Sequence, residues 1–462
     1  MTTLRSLFDR RTPAPGAPLS REECTVLTRQ VLSFATGRTT VVSVESSREG
    51  STRFAHSELT TGRDAFTVHV TVRCSIDGRS GAVRTTRTDT DGLRTAVSQA
   101  EAIAHQGPQW AVLHLVPVGA SYANPAVWYD RTESVELEGR LDVARSVAAN
   151  VGAAGFVGAG GLSVSATAQA VANSAGLFVY AHGTDVRLSV SARAKDATGS
   201  GWAGAEALDW GTLDSAAVAA TAIDRCRRSL HPVAIEPGRY TAILEPDAYG
   251  LMVFLMMFYH MELQGAESGY TAFAKKGGGT KIGLPVFDRR FSLVSDPVDP
   301  DGPFFPFNND GFPRPRMTWI DHGVLKTLSV GAGYAEEKHL PGVIDNPLSC
   351  RLQAAGPSST VADMIATTQR GVYVTQTGGL TFANFRTLLF TGVTRDGFWL
   401  IENGKITRPI KNFRFTESPF FFLNNLEQVG TPRLVPVAPG AEFVLPPVKV
   451  RDFNFVSLAD GI

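Results

Sequence analysis

The chain has 462 residues, 43% of them hydrophobic, with 44 basic and 44 acidic side chains. That length calls for two or more domains, and the balanced charge argues against a general nucleic-acid-binding surface while leaving a local basic patch open. Cys24, Cys74, Cys226 and Cys350 stand far apart without a C-x-x-C pair, which excludes zinc-ribbon and redox motifs and fits reduced thiols in a cytoplasmic protein.

Residues 1–19 contain Pro13, Pro15 and Pro18 and read as an arm; they lack the apolar core of a signal peptide. Ser20 and Glu23 have the S-x-x-E form of a capping box, and Val26, Leu27, Val31 and Leu32 continue as a helix. Residues 39–47 and 52–59 read as strands. Residues 66–74 alternate throughout, with Phe66, Val68, Val70, Val72 and Cys74 on one face. Ser80 and Gly81 mark a turn, residues 82–87 pair back, and a helix over 88–104 completes this unit. Residues 107–131, with Pro108, Pro117 and Pro125, read as a connector before a helix over 134–152. Gly155, Gly158, Gly160 and Gly161 invite a phosphate-loop reading. From Gly158, however, G-x-G-x-x-G fails at Ser163, so a turn into a strand over 162–167 is the better account. Asn173 and Gly176 form a turn. Strands over 177–180 and 186–194 follow, then a Gly/Ala-rich stretch over 197–207. A helix over 213–229 ends in Arg225, Arg227 and Arg228, which complement its dipole.

A new unit begins near Pro232. Residues 236–245 are a turn feeding a strand. Nine apolar residues, 251–259, then run into His260 and Glu262. No Gly or Pro interrupts 251–264, so one helix with Gly265 as its stop is expected. A helix apolar on every side is a buried one, and this run is shorter than the ~18 apolar residues of a membrane span. Lys275–Lys281 is a loop of three glycines and three lysines without P-loop spacing. Residues 318–326 form a hairpin around Asp321-His322-Gly323, 361–370 a helix, and Asn403-Gly404 a strong hairpin signal. The expected fold is α+β: an arm over 1–19, an N-terminal domain over 20–232 with antiparallel strands and flanking helices, and a C-terminal β-dominated domain over 233–462 around one buried helix, 248–264.

His260 and Glu262 end that helix and are the first candidates for chemistry. Two residues apart, they point about 200° from each other on a regular helix and cannot chelate one metal together. Nothing in the chain matches H-E-x-x-H. A lone His there is commonly a hydrogen-bonded structural residue; acid/base work by His260, Glu262 and Glu267 is the sharper alternative.

The order of motifs resembles the TldD/PmbA (TldE) family, the modulators of DNA gyrase, over most of the chain. Ser51-Thr-Arg-Phe-Ala-His56 resembles its N-terminal layer. Asn173-Ser-Ala-Gly176 is similar to its N-S-x-G turn, and Glu236-Pro-Gly-Arg-Tyr240 to its P-G-x-Y segment. Phe307-Asn-Asn-Asp-Gly311 resembles its F-D-x-E-G element and Gly323-Val-Leu-Lys326 its G-x-L-K hairpin. Residues 402–411, beginning Glu402-Asn-Gly-Lys, resemble its E-x-G-x-x-x-x-P-V-K segment most closely. The resemblance implies a zinc metallopeptidase relationship. The catalytic members carry H-E-x-x-x-H on the buried helix and a late Cys ligand in V-G-T-C. Here Leu255 stands at the first His, Met256 at the general-base Glu, and Pro432 at the Cys, in Val429-Gly-Thr-Pro432. Only His260 remains, as a remnant ligand. Catalytic zinc needs about three protein ligands and a water position, with a base to take the water's proton. The departure matches the non-catalytic PmbA/TldE class. That implies no metal or cofactor in this chain, zinc in a TldD-type partner subunit, a heterodimer acting on unfolded or modified peptides, and neither membrane nor nucleic acid as partner. Two rival expectations are an active peptide-modifying enzyme in natural-product maturation that uses His260 and Glu262, and a binding module for DNA-associated proteins. Phe304–Phe307 and Phe420–Phe422 are candidates for a dimer surface or ordinary β core.

Overall fold

Long runs of alternating apolar and polar residues build the first sheet. A computed structural model describes residues 16–35, 39–107, 113–302, 305–346, 349–438 and 440–459. Most of the expected arm, Pro108 and Phe304 lie outside them. Strands β1 (Thr39–Ala55), β2 (Glu58–Ile76) and β3 (Arg79–Thr85) form a meander. With β4 (Val157–Asn173), β5 (Phe178–Arg193) and β6 (Ser200–Ala207) they make an antiparallel sheet ordered β3-β2-β1-β4-β5-β6. Val42, Val44, Val70, Val72, Leu162 and Leu188 are buried on one face. Four helices cover it: α1 (Arg21–Phe34), α2 (Thr90–Gln106), α3 (Leu137–Ala153) and α4 (Ser215–Arg228). Helix α1 starts at the expected capping box, with Ser20 and Glu23 exchanging hydrogen bonds. The other face, with Ser165, Asp185 and Arg187, turns toward the second half of the chain.

Several local expectations change. β1 is one strand rather than two; Gly50 lies inside it because a Cβ there would meet the Arg140 guanidinium at 2.3 Å. The β1–β2 bend is made by His56 and Ser57, both with positive φ. The β2–β3 turn is Asp77-Gly78, also with positive φ, and Gly81 sits within β3. Gly158, Gly160 and Gly161 lie in β4 rather than in a turn. At Gly160 a Cβ would fall 2.2 Å from the Ser189 carbonyl and 2.6 Å from the Phe54 ring. Asn173 does form its turn: its side-chain oxygen accepts from the Ala175 and Leu177 amides at 3.0 and 3.1 Å.

The second half is β-dominated. Strands β7 (Gly238–Leu244), β12 (Arg370–Asn384), β13 (Leu389–Glu402), β15 (Phe413–Glu417) and β19 (Val448–Leu458) pair as β12-β7-β19-β15-β13. A β12–β13 pairing closes them into a barrel, with β14 (Lys405–Pro409) outside on β13 and β16 (Leu426–Val429) on β19. A second sheet has the order β10-β9-β8-β11-β18-β17, from β8 (Phe291–Ser295), β9 (Met317–Asp321), β10 (Val324–Leu325), β11 (Ser349–Ala354), β17 (Arg433–Ala438) and β18 (Ala441–Leu445). Helix α5 (Pro246–His260) joins the two. Tyr249, Met252, Val253, Met256 and Met257 are buried in one core with Leu244, Val372 and Phe390 of the barrel and Leu293, Trp319 and Phe443 of the sheet.

Helix α5 corrects two expectations. It ends at His260 rather than near Gln264, because the Met261 carbonyl accepts from the Ser329 amide at 2.8 Å and the Ser329 hydroxyl at 2.9 Å. It is also not buried all round. Leu251, Phe258 and Tyr259 are 38%, 43% and 47% exposed, and Phe254 and Leu255 beside them are half-buried. Together they form an i, i+3, i+4, i+7, i+8 stripe that faces outward. The two aromatic stretches are largely core: Phe307 and Phe422 are buried, and only Phe421 of the described members is exposed.

The halves meet through the Phe307–Gly311 segment. Phe307 packs with Val171 and Leu177, Arg73 pairs with Asp310 at 2.6 Å, and the Tyr122 hydroxyl donates to the Gly311 carbonyl at 2.7 Å. Among the described residues no helix is long and apolar enough to cross a membrane.

Candidate functional site

The end of α5 places the sequence candidates apart. His260 is fully buried, with the Phe385 ring 4.2 Å from its own, centroid to centroid. Its Nδ1 accepts the Ala272 amide at 3.1 Å, which puts the ring proton of the neutral form on Nε2. Nε2 is buried without a hydrogen-bond partner. Burial pushes the imidazole pKa down to about 4, so the ring is neutral near pH 7. Glu262 points elsewhere: it caps the short helix Leu263–Glu267, accepting the Gly265 amide at 2.8 Å. Glu267 accepts from the Tyr334 hydroxyl, which pushes that phenol up to about 12. Leu255 lies on the outward stripe, Met256 is buried in the core, and Pro432 borders a separate hollow near Arg351 and Gly356.

A different group of residues forms a charged cavity between the halves. On β5, Val186 and Leu188 are buried against the helix layer, so Asp185 and Arg187 emerge on the other face. Cross-strand register sets Ser165 of β4 opposite Asp185 and Glu206 of β6 opposite Arg187. The strand β18 brings Glu442 from the second half. Arg187 Nε lies 2.7 Å from Glu206 Oε1 and 3.4 Å from Asp185 Oδ2, and its Nη2 donates to Glu442. Ser165 donates to Asp185. Three carboxylates thus share one guanidinium. Desolvation raises all three: Glu206 to about 8, Glu442 to about 7, and Asp185 above its usual range. The arginine opposes this and the neighbouring carboxylates add to it. The cavity above them has a volume of about 260 Å³, with an apolar wall of Phe305, Met317, Trp319, Val343 and Ile344. Two further charge pairs at its lining are self-contained: Arg314–Asp345 at 2.6 Å and Arg316–Asp296 at 3.1 Å.

The sequence reading missed this cluster. Its one local signal is the pair Asp185 and Arg187 at period two, flanking Val186 in a strand whose apolar residues alternate. Glu442, more than two hundred residues away, becomes a neighbour only through the packing of the halves.

With that geometry, the comparisons give the chain its class. Three profiles of one family match in succession: PmbA/TldA metallopeptidase domain 1 over residues 40–104, the central domain over 130–230, and the C-terminal domain over 237–457. The chain belongs to the PmbA/TldD metallopeptidase family. Its fold is similar to that of a protein from Thermotoga maritima described as a modulator of DNA gyrase (TM-score 0.80, 18% identity, 94% of this chain and 100% of that one). It is similar also to a protein of the same description from Bacteroides thetaiotaomicron (0.81, 18%, 95% and 99%), and to TldE from Thermococcus kodakarensis (0.77, 16%, 94% and 99%). At these identities the likeness is one of fold. No curated protein sequence matches the chain.

The family implies a metal, and the resemblance would place its ligands and general base at Leu255, Met256, His260 and Pro432. Leu255, Met256 and Pro432 offer no ligand of the kind zinc takes. Neutral His260 has its Nδ1 lone pair engaged by a backbone amide and its proton on Nε2, so no lone pair remains for coordination. Among the described residues no group of three or more His, Cys, Asp or Glu side chains could hold a metal ion.

Proposed function

We propose that this chain is the non-catalytic, TldE/PmbA-like subunit of a TldD/TldE-type metallopeptidase, paired with a metal-bearing TldD-type subunit that acts on unfolded or modified peptides. The observation that carries the reading is the state of His260: a neutral, enclosed imidazole whose acceptor nitrogen already serves the Ala272 amide. The outward stripe on α5 supports a partner. Five apolar side chains at helical spacing, continued by Tyr270 and Phe385, make a contiguous patch of the sort that marks a protein interface. Membership of the metallopeptidase family supports the activity of the pair. Four buried cysteines, none of them in a disulfide, support a reducing, cytoplasmic setting.

The test is metal content and peptide hydrolysis, measured on this chain alone and on this chain co-purified with a TldD-type subunit from its own source. The reading expects a metal-free, inert chain and a pair that holds about one zinc per catalytic site and cleaves. Stoichiometric metal and cleavage by the chain alone would overturn it.

A further inference from the structure

The three carboxylates around Arg187 outnumber their guanidinium by two, and among the described residues the cavity lined by two of them has no other unpaired basic side chain. Arg314 and Arg316 are taken by Asp345 and Asp296. The Glu442 side chain is 9% exposed, with Oε1 on Arg187; no described residue donates to its Oε2. Glu206 is fully enclosed, and although Arg187 is close, neither of its oxygens receives an aligned hydrogen bond. A buried carboxylate left in this state costs free energy unless a cation or a proton reaches it. The space next to Asp185 and Glu442 is walled by Trp319, Phe305, Met317 and Ile344, which suits an apolar stem and not a hydrated ion.

We propose that the cavity between the first sheet and the β8–β9–β18 face is a binding site for a primary amine or guanidinium carried on an apolar stem, with Asp185 and Glu442 as the acceptors and Trp319 against the stem. Such a group is the side chain of a lysine or arginine, or the amino terminus of a peptide that begins with an apolar residue. That the cation belongs to a peptide rests on the function proposed above; the binding itself does not. The excess acidity also sets the pH response. Without a ligand, protons occupy the raised carboxylates; an arriving cation displaces them. The charged groups facing the site are Asp185 and Arg187 on β5, Glu206 on β6, Glu442 on β18, the paired Arg314 and Asp345, Asp296 paired with Arg316 and, more remotely, Glu49 on β1.

The experiment is calorimetric titration of the full chain with four small probes: N-acetyl-lysine methylamide, leucine methylamide with its free amino group, N-acetyl-norleucine methylamide, and N-acetyl-glutamate methylamide. At least one cationic probe binds, and the neutral and anionic probes bind about tenfold or more weakly, the factor one charge-assisted hydrogen bond supplies. Which cationic probe binds tells a side chain from an amino terminus. At pH 7 binding releases protons to the buffer; at pH 9 the release vanishes. Glu442→Gln and Asp185→Asn each weaken binding about tenfold, and Val343→Trp, which fills the cavity, abolishes it. The idea is overturned if the norleucine probe binds as well as the lysine probe, if the anion is preferred, or if no probe binds at millimolar concentration. The wild-type series decides this even if a variant fails to fold. Metal content and hydrolysis are not read in this titration, so its failure leaves the subunit reading standing, and the reverse holds.

Discussion

Glu206→Gln should make the protein progressively more stable than wild type as pH rises. Glu206 is enclosed with Arg187, Glu442 and Asp185 as its charged neighbours, and its pKa is lifted from an ordinary 4.5 to about 8, with desolvation as the main cause. A carboxyl raised on folding binds more protons folded than unfolded between those two values. Its contribution is therefore fully present below about pH 4.5 and is lost as pH climbs toward 8. Each pH unit in that window costs about 1.4 kcal/mol per proton. Between pH 5.5 and 7.5 the loss attributable to this one group is ~2–3 kcal/mol. Glutamine mimics the protonated acid in shape and cannot ionise, so the variant lacks that loss. Glu442, raised to about 7 mainly by burial, shares Arg187 with Glu206; once that guanidinium is no longer divided, Glu442 ionises more readily in the variant, which widens the difference in the same direction. Urea unfolding at pH 5.5, 6.5 and 7.5 should show a stability difference that widens in favour of the variant. Parallel curves, or a gap that narrows, would refute the claim that burial keeps Glu206 protonated at neutral pH.

Other perturbations probe other parts. His260→Leu deletes the acceptor of a buried amide and should cost ~1–3 kcal/mol in equilibrium unfolding at pH 7. It should also remove an acid-side dependence: a histidine held near 4 gives stability that is present above its ordinary 6.5 and lost as pH falls through 4, so the deficit shrinks at pH 4.5. Gly201→Ala places a Cβ 2.3 Å from the Cys226 amide nitrogen and 2.4 Å from the Ala222 carbonyl. These are backbone atoms of α4 that cannot rotate away, so a loss of ~1–3 kcal/mol by urea melting is expected. Paired Phe258→Asp and Tyr259→Asp substitutions on the outward stripe should abolish co-purification with a TldD-type subunit while shifting the unfolding midpoint of the isolated chain little; a chain that still co-purifies removes the stripe from the interface.

Legibility in the sequence followed the range of the physics. Alternation is local, so the 66–74 strand with its buried Val70, Val72 and Cys74 was readable, as were the α1 capping box and the Asn403-Gly404 hairpin, both of whose residues have positive φ. Glycines misled because one residue type serves two needs. The sequence marks where a side chain is missing, and only the packed sheet shows that Gly50 and Gly160 make room for Arg140 and Phe54 and do not turn the chain. The end of α5 was set by Ser329, sixty-eight residues beyond Met261, which no helix rule sees. The charged cavity is the extreme case. Its carboxylates come from β5, β6 and β18, and nothing in a strand's own pattern distinguishes a solvated Asp-x-Arg from one that a second sheet will cover.

Helix α5 then brings the two candidate sites into one argument. Its apolar residues are spread so evenly that the sequence cannot say which face is inward. The structure chooses: Met252, Met256 and Met257 face the core, and Leu251, Leu255, Phe258 and Tyr259 face out. On the register that the resemblance implies, the first metal ligand would stand at Leu255, on the outward stripe. A polar ligand there would project from the surface, and in this chain an apolar side chain does so instead. Its neighbours on the stripe are aromatic, and the remaining histidine is turned inward onto a backbone amide. Such a surface gains by being covered, at about 25 cal/mol for each Å² of apolar area removed from water. It offers nothing to coordinate. Under the proposed function, the helix that would present a metal in a catalytic relative instead holds another subunit, apart from the carboxylate cluster at Arg187.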